Sequence, residues 1–320
     1  MKSGLYLFII ILLCSSCSTD DSGNSEVETV PKEKYYHNPK TFSTQADVDD
    51  FAKQEYNVIT GNLVFIGESI TDLSGLKSIH SIRGDLMILA TSIENLDGLE
   101  NVNLIDKAGI SLNKNSLLKD ISGLRSISVL LSYLEIEDSP ELITLTGLEG
   151  IVGVTHNLFL TDLPKIKSLD PLSKIGNPLL RLTLSNLGIV NTNGVSKIPS
   201  VESMYVLGNP YLSNANFTEL TRVDNLNIGG NPLLEDLSGL NNLQQANELN
   251  IINNTSLKNL DGLNNLDTSE ILNMKIWNNI ELADYCGLRD LAAKGKLALE
   301  ARDNLYNPTS AQVAGDECNL

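Results

Sequence analysis

The side chains that ordinarily perform chemistry are few and scattered in this 320-residue chain. Its three histidines, His37, His80 and His156, have no spacing that pairs them, so no metal-ligand set is expected. Asp20-Asp21 and Asp49-Asp50 are adjacent carboxylates in an N-terminal stretch and a leader helix, and they read as solvated charge rather than as acid/base pairs. Motifs for a nucleophile elbow (GxSxG), a zinc helix (HExxH), a phosphate loop (GxxxxGK[ST]) and a dinucleotide turn (GxGxxG) are absent. No catalytic residue, metal or cofactor is therefore expected. What remains is four cysteines at the chain ends, Cys14, Cys17, Cys286 and Cys318, and a sparse set of aromatic rings.

A repeat must position those rings. The stretch NELNIINNTSLKNLDGLNNL (247–266) alternates Leu and Ile with Asn on the kernel Leu-x-Ile-x-x-Asn-x-x-Leu-x-x-Leu-x-Gly-Leu. The first inward residue of each strand-like pair falls at Leu63, Leu86, Ile110, Leu134, Leu158, Leu182, Met204, Leu226, Leu249 and Met274, at intervals of 23, 24, 24, 24, 24, 22, 22, 23 and 25 residues. Ten copies at a nearly fixed period mark a repeat architecture. GNLVFI, GDLMIL and NELNII read as short strands with inward Leu and Ile at period two, which stack from repeat to repeat as a parallel sheet. Leu-x-Gly-Leu follows, as at Leu96-Asp97-Gly98-Leu99 and Leu237-Ser238-Gly239-Leu240, where glycine implies positive φ or a close backbone approach.

Asn115, Asn209, Asn231, Asn254 and Asn279 fall at one phase of the repeat, three residues after the second strand position. A buried Asn can bond backbone groups that a sharp turn leaves unpaired, and stacked copies would form a ladder. Ser139, Leu163 and Leu187 interrupt the series. The other role open to these Asn is ligand contact.

Strand phase also fixes what faces outward. Between the two inward residues lie Val64, Met87, Ser111, Glu135, Phe159, Thr183, Tyr205, Asn227, Asn250 and Lys275, a row with one acid and one base, far apart. A parallel β-helix polysaccharide lyase or hydrolase groups carboxylates and a basic residue on one sheet face; here only Glu135 and Glu137 cluster, on one repeat. Such an enzyme is the last alternative in the functional reading. Tyr133, Phe159, Tyr205 and Trp277 form the candidate ligand face, because exposed rings on a flat sheet suit sugar stacking or a protein hot spot. Ile66, Leu89, Leu207 and Ile252 are nominally outward too, and they favour the alternative that the rings pack against neighbours.

The ends leave the pattern. Lys2, an apolar core over Leu5 to Leu13 too short to span a bilayer, then Ser15, Ser16 and Cys17 look like a bacterial lipoprotein signal ending in the lipidated cysteine. Cys14 stands where such signals usually carry Leu; it is the other acceptor, and a plain secretory signal is the other reading. Ser18, Thr19, Asp20 and Asp21 resemble a surface-export tag of Gram-negative lipoproteins. The expected layout is a signal peptide over 1–16, a flexible polar tether over 17–40, a capping segment over 41–60, repeats over 61–282 and a C-terminal cap over 283–320. Thr44 as N-cap with Asp47 three residues on starts a helix whose Val48, Phe51 and Ala52 cover the first core layer. The C-terminal cap is expected to hold a short helix near 287–294, a strand near 296–301 and a Cys286–Cys318 disulfide outside the cytoplasm.

These repeats, on the pattern GxLxIxxNxxLxxLxGLxxLxxI, resemble the receptor L-domain, found in the ligand-binding parts of insulin- and epidermal-growth-factor-type receptors and in fungal cell-wall proteins. A closer likeness is to bacterial surface lipoproteins with L-domain-like repeats, a TQADVDDF-like leader and a YCGL…YNPT…GDEC ending, covering about Phe42 to Cys318. The resemblance implies a mainly β fold: a right-handed parallel β-helix, or leucine-rich-repeat-like solenoid, of about ten coils with a helical N-terminal cap and a disulfide C-terminal cap. It also implies extracellular binding or adhesion, and it supplies no catalytic residue.

Charge narrows the partners. With 23 Lys and Arg against 40 Asp and Glu, the net charge of −17 disfavours nucleic acid and anionic lipid headgroups. The expected protein is a non-catalytic, lipid-anchored module at the outer membrane of a Gram-negative bacterium that meets an extracellular protein or glycan. A structural cell-envelope lipoprotein is the runner-up.

Overall fold

The computed structural model describes residues 32–320, except 107 and 316. The fold is mainly β, with few and short helices. Its chief element is a parallel sheet of twelve strands: β2 (Lys40–Phe42), β4 (Leu63–Ile66), β6 (Leu86–Leu89), β8 (Ile110–Asn113), β9 (Leu130–Glu137), β10 (Gly153–Leu163), β11 (Leu179–Leu187), β12 (Ser200–Leu207), β13 (Arg222–Gly229), β14 (Gln245–Ile252), β15 (Leu272–Trp277) and β16 (Leu297–Arg302). Neighbours in the sheet follow this chain order, so each repeat adds one strand beside the last. A second parallel sheet joins β1 (Tyr35–Tyr36), β3 (Val58–Ile59), β5 (Ser81–Ile82) and β7 (Leu104–Ile105).

Register carries the periodicity into space. Leu63, Leu86, Ile110, Leu134, Leu158, Leu182, Met204, Leu226, Leu249 and Met274 are aligned partners across successive strands, and none is more than 1% exposed. Leu299 of β16 extends the row beyond the ten expected positions, and β2 adds a strand at the other end. One continuous apolar core takes its residues from every repeat. Aliphatic side chains bury well on such a surface because their branches interlock across strands.

Between strands the chain turns through short 3-10 pieces such as Ser74–Leu76, Ser122–Leu124 and Ser238–Leu240. Both expectations for the Leu-x-Gly-Leu glycine occur. Gly98 has φ 102°, a conformation costly for other residues, while Gly239 has no positive φ but lies so near the preceding repeat that a Cβ would overlap the carbonyl oxygen of Ala215.

Helix α1 (Gln45–Ala52) opens on Thr44, whose hydroxyl accepts from the Asp47 N–H at 3.2 Å. Its Val48 and Phe51 are buried; Phe51 meets Phe42 edge-on at 5.2 Å, and Phe42 stacks on Phe65 of the first long repeat at 4.9 Å. The expected tether over 17–40 overruns the fold at its C-terminal end. Tyr35–Tyr36 pair with Val58–Ile59, and the Tyr36 ring packs edge-on against Phe51 and Tyr56. A polar average over 17–40 hid two β-forming rings with an apolar surface to cover. Cys17 and residues 1–31 lie outside the described residues.

At the other end, α2 (Arg289–Ala293), β16 and α3 (Ser310–Ala314) close the molecule. Cys286 and Cys318 are joined by a disulfide with a Cα–Cα distance of 4.9 Å. Beside it, fully buried Tyr285 donates its hydroxyl to the Tyr306 carbonyl at 2.9 Å.

Candidate functional site

Outward positions on the twelve-stranded sheet line up as they do within the core. One register row runs Val64, Met87, Ser111, Glu135, Phe159, Thr183, Tyr205, Asn227, Asn250 and Lys275. Tyr133, Phe159, Tyr205 and Trp277 therefore share one outer face, all half-buried. Tyr133 and Phe159 lie on adjacent strands and Tyr205 two strands beyond Phe159, about 10 Å at ordinary strand spacing. Trp277 is three strands further on and does not join that group.

Each ring has a local setting. Tyr133 lies across Gly109 of the preceding repeat, where any Cβ would strike the ring. Burial, and then the Asp85 carboxylate beside its hydroxyl, push its ionisation well above the usual tyrosine range. The Arg181 guanidinium stands 6.0 Å from the Phe159 ring and that of Arg302 5.5 Å from the Trp277 ring. The Trp277 indole Nε1 is buried without a hydrogen-bond partner. Packing against neighbours, the alternative weighed for these rings, thus covers one side of Tyr133 and Trp277. Of the apolar outward residues, Ile66 is 42% exposed, whereas Leu89, Leu207 and Ile252 are half-buried.

The acidic side chains gather beside Tyr133 and Phe159. Burial, followed by the Glu137 charge, raises the Glu135 carboxyl above its ordinary value against a lowering hydrogen bond from Asn157. Burial and then the Asp138 charge do the same to Glu137, opposed by Asn113. No Lys or Arg pairs with either carboxylate among the described ion pairs, and no three His, Cys, Asp or Glu among the described residues come together to hold a metal. Glu135 and Glu137 sit two residues apart on one strand, with the Asp85 carboxylate near Glu135.

The five Asn of the repeat phase are fully buried and turned into the fold. Asn209, Asn231, Asn254 and Asn279 form a chain in which each backbone N–H donates to the Oδ1 of the next Asn at 3.0–3.1 Å. Each Nδ2 also reaches back to a strand carbonyl: Leu184, Val206, Ile228 and Ile251. Asn304, not identified from the sequence, continues the chain and ends it on Asn307. Its signal was present, since it stands five residues after Leu299 as Asn279 does after Met274. Asn115 stands apart, accepting from Thr91 N–H and hydroxyl and donating to the Ile88 carbonyl. All of these amides are withdrawn from the surface.

No protein-family model, no curated protein and no solved structure matches the chain.

Two recesses flank the ring-bearing strands, and sequence reasoning missed both. One, of 390 Å³, runs along the corner after the strands over Pro140 and Pro164, walled by Lys114, Asp138, Asp162 and Asn186. Those four walls are stacked left-handed corners, with φ of 59°, 48°, 55° and 52°; Asp and Asn tolerate that conformation through their short polar side chains. The other runs along the opposite margin, where Leu130, Ser132, Thr155 and His156 line a 260 Å³ cavity and Thr155, Leu180, Glu202, Arg222 and Asp224 a 280 Å³ one. Its origin is a register shift in β10 between Val154 and Asn157, which sets two residues, Thr155 and His156, against Ser132 alone. A bulge of this kind re-aims side chains. His156 Nδ1 consequently lies 2.9 Å from the Thr155 hydroxyl and 3.3 Å from that of Ser132.

Proposed function

We propose that this chain is a lipid-anchored, non-catalytic binding or adhesion module of a bacterial cell surface. In this reading the repeats wind as a right-handed β-solenoid of the receptor L-domain type, and the outer face of the twelve-stranded sheet meets an extracellular protein or glycan. The observation that carries it is the convergence of Tyr133, Phe159 and Tyr205 on one outer face across four neighbouring strands, with recesses on both margins. Half-buried rings on a stiff sheet offer contact area at little entropic cost on binding. The chain-order stacking of twelve strands in one parallel sheet and the Cys286–Cys318 disulfide support the solenoid and the oxidising compartment. The lipoprotein-like start ending at Cys17 supports an outer-membrane anchor.

Two measurements test the proposal. Cys17→Ser should release the protein from the membrane fraction; unchanged retention rejects the anchor. The purified mature protein, offered to a glycan array and to a panel of defined extracellular proteins, should bind a ligand of one class and lose it on Tyr205→Ala. Binding to neither, with envelope defects on gene deletion, would favour a structural envelope lipoprotein instead.

A further inference from the structure

We infer that the recess beside the ring row is a binding groove for a linear, uncharged polysaccharide laid across strands β9 to β13. This deepens the proposed function by naming the ligand class.

Direction comes first. Leu130, His156, Leu180, Glu202, Arg222 and Asp224 come from five neighbouring strands, so the groove crosses the strands instead of following one. The two cavities adjoin at Thr155, which lines both, and together they make up the trough of this proposal. The trough opens where β10 and β11 part. The Asn177 side chain takes both backbone groups of Val154, accepting from its N–H at 3.1 Å and donating to its carbonyl, and register with β11 resumes only at Asn157. Together with the Thr155–His156 bulge, this insertion widens the surface.

Chemistry comes next. A peptide docking on a sheet draws its affinity from a free edge, but every strand under this groove has neighbours on both sides in the ladder. Ligand recognition must therefore come from side chains. The floor is aliphatic, with Leu130 50% and Leu180 42% exposed. The walls present the His156 imidazole, the Ser132 and Thr155 hydroxyls, the Glu202 carboxylate and a guanidinium held by Asp224, whose Oδ1 accepts from Arg222 Nε at 3.1 Å. An apolar floor with convergent donors and acceptors suits a ligand with C–H faces and a rim of hydroxyls. Asp85, Glu135 and Glu137 on the adjoining face disfavour uronic or sulfated sugars.

Spacing completes the inference. Strands recur about every 4.8 Å, close to the advance of one sugar in an extended β-linked chain, so five strands take a chain of about four sugars. Such a chain turns the same face downward at every second sugar. Phe159 and Tyr205 share a register row two strands apart, three residues further along their strands than His156 and Glu202, so they border the trough without lining it.

The test is calorimetric titration of the mature protein with uncharged β-linked gluco- and manno-oligosaccharides of two to eight sugars. Affinity should climb with length and level off at about four sugars. Leu180→Asp and His156→Ala, both at exposed positions, should each weaken binding about tenfold or more, and Trp277→Ala should leave it unchanged. Thermal unfolding of each variant checks that the fold persists. Absence of binding at every length overturns the inference, as does binding indifferent to Leu180→Asp and His156→Ala. The parent proposal fails separately. A defined protein ligand lost on Tyr205→Ala, with no oligosaccharide bound, keeps the binding module and removes the groove; no ligand of either class removes both.

Discussion

Strands β12 to β15 and strands β9 to β11 share one sheet but manage the corner after the strand in different ways. In the first group the corner is pinned from inside by consecutive Asn, each accepting from the preceding repeat's N–H and donating to a strand carbonyl of that repeat. In the second group the same phase holds Ser139, Leu163 and Leu187. There the Ser139 hydroxyl donates to the Glu137 carbonyl two residues back, and Leu187 N–H borrows the Oδ1 of Asn209. The longest strand, the β10 bulge and the cavity at Leu130, Ser132 and His156 lie in the second group. Uniform repeats make a regular surface, and recognition needs irregular relief. The molecule keeps regularity where it stacks and departs from it beside the rings.

The largest effect expected from breaking this contrast is Asn254→Leu. It leaves the Asn231 N–H buried without a partner and removes the second hydrogen bond to the Ile228 carbonyl, a loss of about 3 kcal/mol with the orphaned group at about 1–3 kcal/mol, to be read from urea unfolding. The reverse change, Leu187→Asn, should cost about half of that or less. Its amide would stand where Asn209 Oδ1 already accepts, with the Leu160 carbonyl in the place that Leu184 holds for Asn209. If Leu187→Asn is the more damaging, the two corners differ by more than their hydrogen bonds.

Cys286→Ser sharpens the contrast from the far end. Opening a disulfide that spans 32 residues should remove about 3 kcal/mol, and amide exchange should rise first around Asn304 and Asn307, where the ladder stops. Protection lost first in β9 to β11 would show that the central strands, not the capped end, are the weaker part.

Tyr133→Ala should cost about 1–2 kcal/mol, because the ring covers Gly109, and thermal unfolding measures it. The smallest effect belongs to Glu137→Gln. Folding raises the proton affinity of this carboxyl, so its charged form opposes folding. That opposition is absent below the ordinary carboxylate range and grows as pH rises through the raised value. The variant should therefore gain up to about 0.5 kcal/mol at neutral pH, and the gain should vanish on acidification. A gain independent of pH would assign the effect to packing.

Much of this was legible from residue order alone. Period-two Leu and Ile at a repeat of about two dozen residues dictated parallel, in-register strands with an aliphatic interior, because a shift by one residue would turn every core side chain to water. The same phase assigned Phe159 and Tyr205 to one outward row, and Thr44 with Asp47 marked the helix start. Local pattern decides these features, so a single chain shows them. Tertiary structure decided the rest. Tyr35 and Tyr36 joined the fold because an apolar end needed cover. Tyr133 settled over a glycine 24 positions away. The trough at Thr155 and His156 arose because one strand carries an extra residue and a distant Asn177 takes its neighbour's place. Periodicity describes what repeats, whereas a binding groove is made where the repeat is locally broken, and only contacts between distant residues determine how that break is filled.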